Sequence, residues 1–70
     1  MVTATKAVYQ YLIDNPGWHF TEDIVDGVLA LHPELKRHTL SITPYNLIKS
    51  RKMLIEDAGS GITKKWRAVR

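Results

Sequence analysis

The chain has 70 residues, a formal net charge of +3, 44% hydrophobic and 24% charged residues, and no cysteine. This length predicts a single domain over residues 1–70, the composition excludes a disordered chain, and the lack of cysteine excludes disulfides and thiolate metal sites. No apolar run approaches the roughly 18 residues of a membrane span, and no signal-peptide core is present, so we expect a cytoplasmic protein that makes no membrane contact.

A first helix is predicted by apolar side chains that recur every three or four residues, at Ala4, Ala7, Val8, Tyr11 and Leu12. Thr3 is placed to cap its N-terminus, and the sequence Asn15-Pro16-Gly17 is placed to end it. The segment Trp18-His19-Phe20 that follows is long enough only for a short extended strand.

A second helix is predicted over residues 22–31, with Thr21 as its N-cap. Glu22 and Asp23 suit its first turn, because carboxylates are favoured at the positive end of the helix dipole. Pro33 is expected to end this helix, because a proline cannot continue the hydrogen-bonded ladder.

A third helix is predicted after a connector of about nine residues, which is longer than the turn of a minimal helix-turn-helix. Its cap is either Ser41 or Thr43, because Pro44 is tolerated in the first turn. The side chains of one face are apolar, at Leu40, Pro44, Leu47 and Ile48. The opposite face is polar and basic, with Ser50 at its edge and its centre at Tyr45, Asn46, Lys49 and Lys52.

A β-hairpin is predicted at the C-terminus, with strands over residues 53–57 and 62–69 joined by a turn over residues 58–61. Alternation in the second strand gives one apolar face and one basic face, formed by Trp66 with Ala68 and by Lys65 with Arg67. Lys64 then points to the side opposite Lys65. Trp66 and Trp18 are interpreted as core residues, because a fold of this size needs the area that they bury.

This order of elements resembles the winged helix-turn-helix fold, an α+β architecture, from Thr3 to Val69. Residues 43–48 followed by residues 52–56 are similar to the third helix and the first wing strand of that family, with Lys52 where a Gly is common. The sequence Gly59-Ser60-Gly61 and then Lys64-Lys65-Trp66-Arg67 is similar to a wing tip and a basic strand. His32-Pro33-Glu34 with a later Thr-x-Tyr step is locally similar to the DNA-binding half of ferric-uptake-type repressors.

Charge divides the chain into two unlike halves. Residues 1–35 contain one base and five acids, a balance of −4, whereas residues 36–70 contain nine bases and two acids, a balance of +7. A compact domain with this asymmetry has one basic face, which favours a polyanionic partner. A solvated surface without a ligand, and lysines that only protect a strand edge, are the alternatives that the sequence leaves open.

The resemblance implies a small protein that binds double-stranded DNA with sequence selectivity and regulates transcription or replication. The short length of the chain would suit a regulator from a phage or another mobile element. The third helix would enter the major groove, and the basic wing would lie on the backbone or in the minor groove. There Asn46 would contact an adenine edge, Lys49 a guanine or a phosphate, and Tyr45 a phosphate or a thymine methyl. The full expected set of DNA-binding residues is Lys36, Arg37, Thr43, Tyr45, Asn46, Lys49, Ser50, Lys52, Lys64, Lys65 and Arg67.

Other functions remain as alternatives. A winged-helix module could bind a protein partner, or form a homodimer, through its acidic N-terminal half. RNA binding is less favoured, because the outward face of the third helix lacks paired aromatic rings on which unpaired bases could stack. The three histidines are not spaced as metal ligands and no catalytic set is readable, so we expect no enzymatic activity, no metal and no cofactor.

Overall fold

Three helices and a three-stranded antiparallel sheet form the fold in the computed structural model, which describes residues 3–50 and 55–69. The helices are α1 (Ala4–Asp14), α2 (Thr21–Leu31) and α3 (Arg37–Ser50). The strands are β1 (His19–Phe20), β2 (Ile55–Ala58) and β3 (Lys65–Ala68). The predicted α+β class is therefore confirmed. No helix within the two described ranges is long and apolar enough to cross a membrane.

The first helix begins and ends where the sequence predicts. The Thr3 hydroxyl accepts a hydrogen bond from the Lys6 backbone N–H over 3.2 Å, which satisfies one of the unpaired donors of the first turn. The buried stripe of α1 consists of Ala7, Val8 and Leu12. After the last helical residue, the Asn15 N–H still bonds to the Tyr11 carbonyl, and Pro16 prevents a further turn.

The start of α2 differs from the prediction. Phe20 occupies the N-cap position and gives the helix no side-chain hydrogen bond. The Thr21 hydroxyl, predicted to cap α2, instead accepts a hydrogen bond from Trp66 Nε1 over 2.9 Å. A buried indole N–H must find an acceptor, and Thr21 is the one within reach. The prediction of Thr21 as the N-cap was therefore wrong.

The third helix begins at Arg37, so the connector after α2 is only residues 32–36. The predicted start at Ser41 or Thr43 was wrong, because Pro44 lies in the middle of α3 and not in its first turn. Proline removes the N–H that would bond to the Leu40 carbonyl. Leu40 and Pro44 are nevertheless fully buried on a helix that packs on α1 and α2, and this packing overrides the local preference of proline.

The sheet has the order β1-β3-β2, so β3 is its central strand. Its register pairs His19 with Trp66 and Phe20 with Lys65 across β1 and β3. Trp66 is only 1% exposed and lies in the core against the buried faces of the helices, which confirms its predicted role. The other fully buried large side chains are Leu12, Ile24, Leu40, Leu47, Val8, Val25, Val28 and Pro44.

The hairpin is shorter than predicted. A 3-10 turn, Gly61–Thr63, occupies the first part of the predicted second strand. Side chains close this turn, since the Thr63 hydroxyl donates to the Ser60 carbonyl over 2.7 Å. The first predicted strand begins at residue 53, but residues 53 and 54 lie outside the described residues, and β2 is described from Ile55 to Ala58.

Candidate nucleic-acid interface

The outward face of α3 is longer than the sequence predicts. Because the helix begins at Arg37, the exposed side chains form a continuous row of His38, Thr39, Ile42, Tyr45, Asn46 and Lys49. These positions recur at helical spacing and so share one side of the helix. The prediction missed Thr39 because it placed this residue in the connector. It missed Ile42 because it placed the start of the helix at Ser41 or Thr43. The adjacent residues Leu40 and Thr43 are buried on the other side of the helix.

Tyr45 lies on this face but is anchored from below. Its ring meets the buried Trp66 ring edge to face, with centroids 4.8 Å apart and planes at 80°. Tyr45 is still 45% exposed, and Lys64 Nζ lies 6.0 Å from the centre of its ring. An aromatic ring held in this way loses little conformational entropy when it contacts a ligand. The structure therefore brings Tyr45 and Lys64 together.

Two other predicted residues on α3 have different environments. Thr43 is 3% exposed and its hydroxyl donates to the Thr39 carbonyl over 2.7 Å, so burial removes it from any surface site. Ser50 is exposed at the end of the helix, where its hydroxyl donates to the Leu47 carbonyl over 3.2 Å. Lys52 lies outside the described residues.

Lys36 and Arg37 were predicted to lie in a connector. Lys36 is exposed just before α3, and its carbonyl accepts the Leu40 N–H over 3.0 Å. Arg37 is the first residue of the helix, and its guanidinium lies 2.5 Å from an oxygen of the Asp26 carboxylate on α2. Both partners are more than half exposed, so the pair is screened by solvent. Arg37 therefore has an internal partner that a phosphate would have to replace.

The basic side chains of residues 64–67 point to two opposite sides of the sheet, as the alternation along the chain predicts. Lys64 lies on the side of Trp66, 5.3 Å from the centre of the indole, and pairs with the Asp57 carboxylate. Lys65 lies on the opposite face of the sheet, together with its cross-strand partner Phe20. Arg67 shares the side of Lys65 and pairs with the Glu56 carboxylate of β2. Register, not sequence spacing, creates these two ion pairs.

The expected cations differ in how available they are. Lys36, Lys49 and Lys65 have no carboxylate within 4.0 Å among the described residues. Arg37, Lys64 and Arg67 each have one. A polyanion could contact the first three without breaking an existing ion pair, so these three define the open cations of the candidate interface.

Trp18 is not a core residue, contrary to the prediction. Its side chain is 40% exposed and lies beside the basic strand on the sheet side away from Trp66. Arg67 Cζ lies 4.6 Å from the centre of its ring, and Lys65 Nζ lies 5.8 Å from it. The attraction between these cations and the ring quadrupole holds the arrangement together. Trp18 follows a proline and a glycine and lies just before β1, whose pairing with β3 brings it beside Lys65 and Arg67.

A groove of ≈ 660 Å³ separates the start of α2 from α3 and the turn after β2. Phe20 and Tyr45 provide apolar walls, Lys64 provides a cation, and Glu22 and Asp23 provide two carboxylates. The carboxylates of the first turn of α2 are thus close to the predicted recognition face. Their place in the sequence predicts only a stabilising role in the helix, but they also place negative charge next to Tyr45 of α3.

Within the described residues, no group of three or more His, Asp or Glu side chains is arranged to hold a metal ion. Comparison with known proteins finds no matching family model, no matching curated protein and no matching solved structure. The function of the chain is therefore inferred from its own residues.

Proposed function

We propose that the chain is a winged-helix protein that binds double-stranded DNA with sequence selectivity and regulates transcription or replication. The observation that carries this proposal is the exposed face of α3, which places Tyr45, Asn46 and Lys49 side by side on a helix anchored by its buried side. A major groove is wide enough to admit such a helix, and each base pair there has a distinct pattern of donors and acceptors.

The side chains on this face suit different parts of a duplex. The Asn46 amide can pair with the N6 and N7 edge of adenine, whose donor and acceptor match its own. Lys49 can donate to a guanine edge or to a phosphate. Tyr45 can donate its hydroxyl to a phosphate or pack on a thymine methyl. The exposed apolar side chain of Ile42 offers a second surface for a thymine methyl.

The order of elements supports the winged-helix part of the proposal. The chain runs α1, β1, α2, α3, β2 and β3, and the last two strands form a hairpin next to the end of α3. The segment between those strands, residues 59–64, corresponds to the tip of a wing. A wing beside the third helix would lie along the phosphates that flank a bound major groove.

The open cations support contact with the backbone. Lys49 lies on α3, Lys36 immediately before it and Lys65 on β3, so positive charge is available at three separate places. Arg37, Lys64 and Arg67 can join when phosphate oxygens replace their carboxylate partners. Each added phosphate contact strengthens binding and makes it more sensitive to salt.

Fluorescence anisotropy with labelled duplex DNA tests the proposal. We expect binding to a random-sequence duplex at 50 mM salt that weakens by about two to three decades at 200 mM, which corresponds to four to six phosphate contacts. A binding site selected from a random duplex pool should then bind more tightly than the pool. Absence of duplex binding at 50 mM salt contradicts the proposal.

One observation favours the alternative of a protein partner. Leu31, at the end of α2 in the acidic half, is 67% exposed, and the neighbouring Ala30 is exposed as well. An exposed leucine in the acidic half of the chain suits a partner with an apolar and basic surface. In that case Leu31→Ala would abolish partner binding, whereas Asn46→Ala and Lys49→Ala would leave it intact.

A further inference from the structure

The outer face of the sheet has two exposed aromatic rings, of which Phe20 also lines the groove beside Tyr45 and Trp18 does not. Trp18 is 40% exposed and Phe20 is 48% exposed. Phe20 is the cross-strand partner of Lys65, and cross-strand partners leave a sheet on the same side. The Trp18 ring contacts both Lys65 and Arg67. All four side chains therefore share one face, which we call the outer sheet face.

We propose that the outer sheet face binds single-stranded nucleic acid, with unpaired bases stacked on Trp18 and Phe20 and phosphates held by Lys65 and Arg67. The two aromatic residues are separated by one residue of extended chain, a span of about 6.6 Å. That distance leaves room for each ring to take its own base. Aromatic platforms beside cations are the general means of binding single strands without a strict sequence requirement.

The aromatic rings decide between a single strand and a duplex. Bases within a duplex are stacked on one another, and their faces are closed to a protein ring unless the stack is opened. An unpaired base offers its whole face, so two exposed rings on a sheet gain most from a single strand. Trp18 has no part in the duplex-binding proposal, whereas Phe20 also lines the groove beside Tyr45. Lys65 and Arg67 also serve as proposed backbone contacts. The inference goes beyond that proposal because stacking of unpaired bases on Trp18 is not used in duplex binding.

The charges of the face decide between a nucleic acid and a second copy of the chain. Lys65 and Arg67 give two positive charges, and Glu56 beside Arg67 gives one negative charge. A symmetric dimer through this face would place the same cations of two copies close together, which opposes association. A polyanion gains from both cations. It would replace Glu56 as the partner of Arg67 and would meet Lys65 without displacing a carboxylate.

Trp18 also restrains the side chains of Lys65 and Arg67 before they contact a phosphate. The ring attracts Arg67 and Lys65, with Arg67 Cζ at 4.6 Å and Lys65 Nζ at 5.8 Å from its centre. Two long side chains that are already restrained lose less conformational entropy on binding. Loss of Trp18 should therefore weaken both the stacking of a base and the grip on the phosphates.

The test is anisotropy with labelled 12-nucleotide single strands of DNA and of RNA at 50 mM salt. We expect both strands to bind, and Trp18→Ala to weaken binding by about 5- to 150-fold, the range found for loss of one stacked base. Trp18→Phe retains a stacking ring and should restore most of the affinity. Binding should also quench the emission of Trp18, while the buried Trp66 continues to emit.

Lys65→Ala and Lys49→Ala form a matched pair, because each removes one lysine charge and only Lys65 lies on the outer sheet face. Lys65→Ala should weaken single-strand binding severalfold, and Lys49→Ala should leave it unchanged. Thermal unfolding by circular dichroism checks that each variant is folded. Should Trp18→Ala unfold, Phe20→Ala provides the same comparison at the second ring.

Three results would overturn the inference. The first is no single-strand binding at 50 mM salt. The second is equal weakening by Lys49→Ala and Lys65→Ala, which would place the strand elsewhere. The third is a dimer, detected by sedimentation, that Trp18→Ala dissociates while single-strand binding is unchanged, which would make the face a protein interface. Each of these results would leave the proposal of duplex binding by α3 standing, because that proposal has its own test.

Discussion

The indole N–H of Trp66 donates a hydrogen bond to the Thr21 hydroxyl over 2.9 Å, which joins the central strand to the first residue of α2. Trp66 is 1% exposed and is the largest fully buried side chain. Its ring also supports Tyr45 from below, with centroids 4.8 Å apart. One buried residue therefore connects the sheet, the start of α2 and the proposed recognition face of α3.

Thr21→Val should destabilise the protein, because it replaces the hydroxyl by a methyl and leaves the Trp66 N–H without its acceptor. The expected loss is about 1–3 kcal/mol of the free energy of unfolding. In a domain of this size, each kcal/mol lowers Tm by about 4–8 °C. Thr21→Ser keeps the hydroxyl and is the control. Thermal unfolding followed by circular dichroism measures both, and equal Tm values for the two variants would contradict the role of this hydrogen bond.

Gly27→Ala should also destabilise the protein, although alanine is favoured over glycine in a helix by about 1 kcal/mol. A Cβ at this position of α2 would overlap the ring of Tyr11 on α1. That ring is partly buried and packs edge to face on His19, with centroids 5.5 Å apart, so displacing it costs contacts. Overpacking of this kind costs about 1–3 kcal/mol.

The Tyr11→Ala background isolates the cause. There the space above Gly27 is open, and the same Gly27→Ala substitution should raise Tm through helix propensity alone. This reversal of sign between the two backgrounds, measured by thermal unfolding, is the expected result. An increase in stability in both backgrounds would show that the close approach of α1 and α2 at Gly27 has no energetic role.

Local signals predicted α1 well and α3 less well. The start of α1 depends on Thr3 and its apolar stripe, both of which act within the helix itself. The start of α3 depends on whether Pro44 can lie in a helix interior. It does so here because its side chain is fully buried in the folded protein. Sequence spacing contains no information on that packing, so the prediction placed the helix start too late.

The candidate interface shows the same division between local and non-local causes. Alternation along β3 placed Lys65 and Arg67 on one face and Lys64 on the other, as found. The ion pairs of Arg67 with Glu56 and of Lys64 with Asp57 follow from the register of β2 and β3. Register depends on contacts between residues distant in the chain, which composition and spacing do not reveal.

Base reading by α3 predicts different effects for two substitutions. Asn46→Ala should cost about 1–3 kcal/mol on a selected duplex and little on a random one, because it removes contacts to one base edge. Lys65→Ala should weaken both duplexes about equally and lower the salt slope by about one, because it removes a phosphate contact. Anisotropy titrations over a range of salt concentrations measure both. Equal weakening of the two duplexes by Asn46→Ala would show that Asn46 reads no base.

The carboxylates at the start of α2 predict a gain of function. Glu22 and Asp23 line the groove next to Tyr45, where a bound duplex would meet their negative charge. The double substitution of Glu22→Gln with Asp23→Asn should therefore strengthen duplex binding severalfold at 50 mM salt. The gain should shrink at 200 mM salt, because exposed charges are screened over about 8 Å or less at that ionic strength.

Asp14→Asn is the matched control for this prediction, because it removes one exposed carboxylate from the end of α1, outside the residues that line the groove. It should change duplex affinity much less than the double substitution does. If each of the three substitutions raised duplex affinity by the same factor per negative charge removed, the effect would come from the overall electrostatic field of the protein. A specific gain at Glu22 and Asp23 would instead place the DNA beside the groove between α2 and α3, with Tyr45 at its edge.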